Sequence, residues 1–150
     1  MTDETSMRVA LDLAIRANTL GEVPVGAIVV IDEEVVAEAH NQTIAERSAL
    51  AHAELIVLHQ AIRQIGDRYL PTAELFVTLE PCAMCAGAIV LTRIRRLVFA
   101  ARDPKAGVCG SLYNLCADPR LNHEVEVVPD ILASESSTLL QSFFQRRRPG

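Results

Sequence analysis

The stretch Thr78-Leu79-Glu80-Pro81-Cys82-Ala83-Met84-Cys85 decides how the 150-residue chain is read. It follows a strand-like run, Leu75-Phe76-Val77, and turns at Pro81, which suits a helix start because its missing N–H is no loss there. Cys82 and Cys85, at i and i+3, then share one face of the first helical turn. Both thiols would also sit at the positive end of the helix dipole, which favours thiolate, the form that binds metal. Such a pair supplies half of a tetrahedral zinc site. Alone, a Cys-x-x-Cys pair fits redox and structural roles as readily, so the rest of the site must come from elsewhere.

Outward from that stretch, the pattern alternates strands and helices. Ala73–Thr78 reads as the strand that feeds the motif, and Ala83–Ile94 as a helix apolar almost all round, buried or in a subunit interface. Ala86-Gly87-Ala88 on that helix permits close approach by a neighbour. Upstream, Thr5–Leu20 has apolar residues at helical spacing and stops at Gly21. Val23–Ile31 is a β-branched run, Asp32-Glu33-Glu34 a polar break and Val35–Asn41 a return strand, together a hairpin. After a polar loop over Gln42–Leu50, Ala51–Ile65 forms a helix ending at Gly66. Downstream come a strand over Arg96–Arg102, a loop-rich segment over Asp103–Asn122, a strand over Glu124–Val128 and a final helix over Ile131–Arg148. This order predicts one domain over residues 1–150, a three-layer α/β/α sandwich whose sheet the hairpin keeps from being purely parallel.

Composition narrows the setting. Half of the residues are apolar and 22% are charged, an ordinary globular balance. The longest apolar runs, Val25–Ile31 and Ala86–Leu91, are too short to span a bilayer, and Met1-Thr2-Asp3-Glu4 lacks the look of a signal peptide. A cytoplasmic, reducing location is expected, which turns four cysteines away from disulfides. The net charge of −5 hides an uneven spread: ten acids face three bases up to residue 60, against nine and eleven beyond it. Because screening limits distant charges to about 10 Å at 0.1 M salt, a basic patch near Arg93–Arg96 or Arg146–Arg148 can still bind phosphate.

The third zinc ligand has four candidates, His40, His52, His59 and His123. His52 stands out because Ala51-His52-Ala53-Glu54 opens a helix, bringing an imidazole and a carboxylate to its start. His-Ala-Glu, 26 residues, then Pro-Cys-Ala-Met-Cys is the signature of the zinc nucleobase deaminases. The chemistry explains the residue types: two thiolates and an imidazole leave the fourth place for water, whose pKa falls from about 16 to about 7 on the metal. A carboxylate beside that water, not ligating the metal, can take its proton and return it to the ring nitrogen and the leaving amine. Glu54 has the type and position for that shuttle. Cys109 and Cys116 read as small core hydrophobes, His59 as a surface or interface residue. The pairs His40-Asn41 and Asn122-His123 read as polar turns or as pocket residues.

On these motifs the sequence resembles the bacterial tRNA-specific adenosine deaminases, within the cytidine deaminase-like superfamily. The resemblance runs from about Met7 to Arg147 and includes Gly21–Ala27, Ala101–Gly107, Gly110-Ser111-Leu112, Leu121-Asn122-His123 and Phe143–Arg147. It implies a mixed five-stranded sheet between helices, a homodimer, one Zn2+ per chain and conversion of adenosine to inosine at the wobble position of an arginine tRNA. By matched position, His52, Cys82 and Cys85 would ligate zinc and Glu54 would be catalytic. Asn41 and the Ala53 backbone would read the base, with Val25 packing on it. Asp103, Lys105 and Asn122 would meet the tRNA anticodon stem-loop, and Phe143, Phe144 and Arg146 with its neighbours would hold flanking nucleotides, one Phe packing the helix.

One departure stands out: Ser48-Ala49-Leu50 replaces the Asp-Pro-Thr usual before Ala-His-Ala-Glu, so Leu50 cannot cap with a hydroxyl. Zinc ligation is expected to survive it. Two other functions compete, deamination of a free base such as guanine or cytosine and a noncatalytic zinc-stabilised binding module. The basic terminal helix argues against the first and Glu54 against the second.

Overall fold

The structure, a computed structural model, describes residues 1–147. Its elements run α1 (Asp3–Thr19), β1 (Gly26–Ile31), β2 (Glu34–His40), α2 (Ala53–Ile65), β3 (Glu74–Leu79), α3 (Ala83–Leu91), β4 (Arg96–Ala101), β5 (Glu126–Val128) and α4 (Ala133–Arg147). Every expected helix and strand is present, with ends moved by a few residues. Arg148, placed by the sequence in the last helix, lies outside the described residues.

The strands form one mixed sheet in the order β2-β1-β3-β4-β5. β1 is antiparallel to both β2 and β3, whereas β3, β4 and β5 are parallel. The β1–β2 hairpin closes through Asp32 and Glu33, whose φ values of 51° and 64° make the two-residue turn that matches strand twist. Along the strands, alternate side chains serve the two faces. Val29, Leu75, Val77, Leu97 and Phe99 join the core beneath α2 and α3. Ile28, Phe76, Val98 and Ala100 pack with Met7 and Ala10 of α1. Because both faces are covered, the central strands are apolar almost throughout, as the sequence shows.

The shifts in helix ends have local causes. α1 begins two residues earlier than expected because the Thr2 hydroxyl accepts the Thr5 amide. α3 stops at Leu91, short of the expected Ile94, where Arg93 turns into the left-handed region with φ 64°. β1 begins at Gly26, not Val23, because Pro24 has no N–H and the Val25 amide turns back to the Val23 carbonyl.

Parallel α/β sheets present their sites beyond the carboxyl ends of their strands. Here the ends of β3 and β4, the start of β1 and the end of β2 all lie at that edge, since Gly26 pairs with His40 and Ala27 with Val77. Leu79 of β3 leads directly into the Cys82–Cys85 turn, and Ala101 of β4 into the 103–122 loop.

Candidate active site

Two helix starts meet at this edge. His52 is the N-cap of α2, with extended backbone (φ −74°, ψ 147°), and Cys82 is the N-cap of α3 (φ −78°, ψ 177°). The sequence places His52 inside its helix and Cys82 at the first turn of α3; both are the residue just before the helix. The difference matters, because an N-cap side chain projects over the helix end, where unpaired N–H groups favour anions and ligands.

His52, Cys82 and Cys85 form a compact group that could hold a metal ion. His52 Nδ1 lies 3.7 Å from Cys82 Sγ and 3.5 Å from Cys85 Sγ. Two ligands of one tetrahedral zinc, a sulfur at about 2.3 Å and a nitrogen at about 2.0–2.1 Å, stand about 3.6 Å apart. Both nitrogen–sulfur distances therefore already match a zinc tetrahedron, and all three donor atoms lie within 4.8 Å of one another. Cys82 is pulled down to about 3, first by the hydrogen bond from the Cys85 thiol and then by His52. That same hydrogen bond, with burial, raises the Cys85 thiol. A dication would take the place of the proton the two sulfurs share.

Glu54 is 4% exposed. Burial pushes its carboxyl up to about 7, against the lowering pull of its own backbone amide and of His52. A carboxyl poised there can both accept and give a proton at neutral pH. His52, Glu54 and Cys82 line a cavity of about 230 Å3 with Val25, Asn41, Thr43 and Glu80. Asn41 is buried and its backbone N–H donates to the Val25 carbonyl, which joins the two residues expected to read and pack on a base. Ala53 is buried at the first turn of α2, where the helix offers its N–H no acceptor.

This cavity continues outward. Val23, Leu79, Asp103 and Ala106 line both it and a groove of about 690 Å3 that also takes in Arg102, Lys105, Leu140, Phe144 and Arg147. The larger space holds none of the metal donors; the chemistry sits in the smaller one. Of the two adjacent rings, Phe143 is 4% exposed and packs the helix, while Phe144 is 49% exposed and faces the groove. Their centroids are 5.3 Å apart, edge to face.

Other singled-out residues fall elsewhere. Arg146 bonds Asn18 Oδ1 at 2.9 Å, and it is Arg147, over the Phe143 ring at 4.3 Å, that lines the groove. Asn122 is exposed and lines neither cavity. His123 Nε2 donates to the Ile94 carbonyl at 2.7 Å, and His40 Nδ1 to the Asn41 carbonyl at 2.9 Å. His59 is exposed, and Cys109 and Cys116 are buried with their sulfurs 3.6 Å apart. The N-cap of α2 is His52 and no side chain caps that helix; the Ser48 hydroxyl accepts the Leu50 amide at 3.2 Å in the loop before it, where Leu50 itself is exposed. Glu80, Thr43 and Arg102 line the cavities although the sequence reading passed over them; a Glu placed between an apolar strand and a Pro was the available signal for the first.

A cytidine deaminase-like sheet carrying a His-Cys-Cys group that could hold a metal beside a buried glutamate marks a deaminase. The profile of the MafB19-like deaminases matches residues 1–148. A tRNA-specific adenosine deaminase of Bacillus subtilis is 46% identical over 97% of this chain and 91% of its own length. One from Haemophilus influenzae is 47% identical over 97% and 85%. A solved structure from a study of A-to-I editing by tRNA:A34 deaminases at the wobble position of transfer RNA superposes with a TM-score of 0.87 at 41% identity, covering 91% of this chain and 99% of that one. A guanine deaminase from Nitrosomonas europaea shares the fold at 24% identity, with a TM-score of 0.81 over 93% and 83%. The chain belongs to the tRNA-specific adenosine deaminases.

Proposed function

We propose that this enzyme deaminates adenosine to inosine at the wobble position of an arginine tRNA. The observation that carries the reading is the close group of His52, Cys82 and Cys85, with His52, Cys82 and Glu54 lining a cavity that opens into an aromatic and basic groove. His52, Cys82 and Cys85 would hold one Zn2+, which when bound supplies the Lewis acidity that makes water nucleophilic at neutral pH. Glu54 takes the proton of that water and delivers protons to N1 of the purine and to the departing amine at C6. Asn41 and the Ala53 N–H address the edge of the splayed base, and Val25 packs on its face. Outside, the exposed Phe144 offers a stacking surface, with Lys105 and Arg147 facing the phosphates and Asp103 shaping the groove wall. Phe143 and Arg146 act through the helix that carries Phe144.

The same reading takes residues 1–150 as one deaminase domain working in the cytoplasm, as a homodimer. For the dimer, Leu91 is exposed at the end of α3 and Gly87 has open space where a Cβ would point, so this apolar helix has an uncovered side. No helix of the described residues is long and apolar enough to cross a membrane. Light scattering of the purified protein should return twice the chain mass.

The deciding experiment incubates the protein with an arginine tRNA transcript bearing adenosine at the wobble position, with free guanine and cytosine alongside. Inosine in the RNA, lost in Glu54→Ala while zinc stays at about one per chain, is the expected result. Turnover of a free base with the tRNA untouched would sink the reading.

A further inference from the structure

Two buried carboxylates near the site take no part in the chemistry above. Glu22 and Glu80 are each 2% exposed, and neither forms an ion pair among the described residues. A buried carboxylate without a cation persists only where other donors satisfy it. For both residues the donors are backbone amides of a loop that walls the cavity.

Glu80 holds the loop after β4. Its Oε1 accepts the Asp103 amide at 3.0 Å and the Ser111 hydroxyl, and its Oε2 accepts the amides of Cys109 and Ser111, each at 3.0 Å. The chain continues through Asp103, whose Oδ1 accepts the amides of Lys105 and Ala106 at 3.1 Å. Asp103 and Ala106 are two of the four residues shared by the inner cavity and the outer groove. The loop closes over the carboxylate so tightly that a Cβ at position 107, a glycine, would overlap it. Glu22 does the same on the other side. Its two oxygens accept the amides of Ile44 at 3.0 Å and Ala45 at 2.8 Å, next to Thr43, which lines the inner cavity with Asn41.

We propose that Glu22 and Glu80 are positioning residues for the substrate, two anionic staples that fix the opposing loops between which the base and its neighbouring nucleotides are held. This rests on the function proposed above. A carboxylate is needed because it can accept from several N–H groups at once; an amide offers one acceptor and turns its own donors towards theirs. With the staple neutralised, the wall loosens and substrate is held less well, while the metal donors and Glu54, on α2 and α3, keep their places.

The test uses Glu80→Gln and Glu22→Gln in the full chain, with steady-state kinetics on the tRNA, zinc content and amide hydrogen exchange. Each variant should raise KM about ten-fold or more with kcat changed less than about three-fold and zinc unchanged, ten-fold being the scale of one lost charged hydrogen bond. Exchange should quicken at residues 103–111 only in Glu80→Gln, and at 44–45 only in Glu22→Gln. Ser111→Ala, which removes one donor and leaves the rest, should give a smaller KM rise at the same loop and stands in if Glu80→Gln does not fold. Unchanged KM with only a lowered melting temperature, or kcat falling together with zinc, would overturn the proposal. Should the wild type convert free guanine and leave tRNA untouched, the function fails separately, and the staples are then judged by KM for guanine and by the reciprocal exchange pattern.

Discussion

The two ends of the sheet handle buried charge in opposite ways. At the amino end of β3, β4 and β5, Arg96 grips both oxygens of Asp3 at 2.7 Å and Glu74 at 2.9 Å, with Arg95 on the other Glu74 oxygen at 3.0 Å. Asp3, Glu74 and Glu126 there each have an arginine. At the carboxyl end Glu22, Glu54 and Glu80 are more deeply buried and have none among the described residues. A paired carboxylate stays ionised and stays put, which serves stability. A carboxylate that must pass protons needs a pKa near neutrality, and a guanidinium beside it would remove that property. The cost of leaving charge unpaired is met at this end by backbone dipoles, and at the other by arginine.

The largest expected effect breaks the site end alone. Glu54→Gln should slow inosine formation by about 10²- to 10⁴-fold, the usual share of general acid–base catalysis, while thermal stability holds or rises because a buried charge has gone. A stability loss as large as the activity loss would erase the distinction between the ends. Arg96→Ala should do the reverse. It leaves Asp3 partly buried and unpaired and Glu74 with Arg95 alone, so unfolding free energy should fall by about 2 kcal/mol in a denaturant titration, less than for a fully buried pair, with kcat and KM at 25 °C unchanged.

A third variant, Phe144→Ala, sharpens the site end without touching charge. Losing a half-exposed stacking ring should weaken tRNA binding by about 1–2 kcal/mol and leave melting unmoved. The smallest effect concerns pH. Asp3 is held below its ordinary value of 3.8, first by the Arg96 hydrogen bond, against partial burial. A folded pKa below the unfolded one gives stability that is present above the unfolded value and lost as pH falls through the folded one. Asp3→Asn should therefore be less stable than wild type at pH 7, and the gap should close as pH drops below about 4 in acid titrations followed by circular dichroism.

Much of this was legible in the sequence. Hydrophobic period placed all nine elements, because a sheet covered on both faces needs unbroken apolar strands and its helices need stripes. The donors were legible because metal chemistry restricts residue types and their spacing is local to two helix starts. What sequence left open depends on which way a helix faces and on long-range pairing. Phe143 and Phe144 are equivalent in a string of letters, and only the seating of α4 sends one inward. The choice between Arg146 and Arg147 is of the same kind: both reach the end of α1, at Asn18 and Gly21, and only Arg147 lines the groove. Glu80 was quoted within the motif and still passed over, since its partners lie 23 to 31 positions away.

Gly26 has a consequence for anyone wishing to reshape the pocket by mutation. A Cβ there would overlap the Ala10 carbonyl oxygen and press on Leu13, so α1 lies directly against the start of β1. Its amide also donates to the Thr78 hydroxyl at 3.1 Å, on the strand that leads into the cysteines. In a library randomised across residues 23–27, position 26 should return glycine alone, whereas Val25, facing the cavity, has room to be traded for smaller side chains. Variation in substrate size therefore has to come from the residues that line the cavity themselves, because α1 leaves the start of β1 no slack.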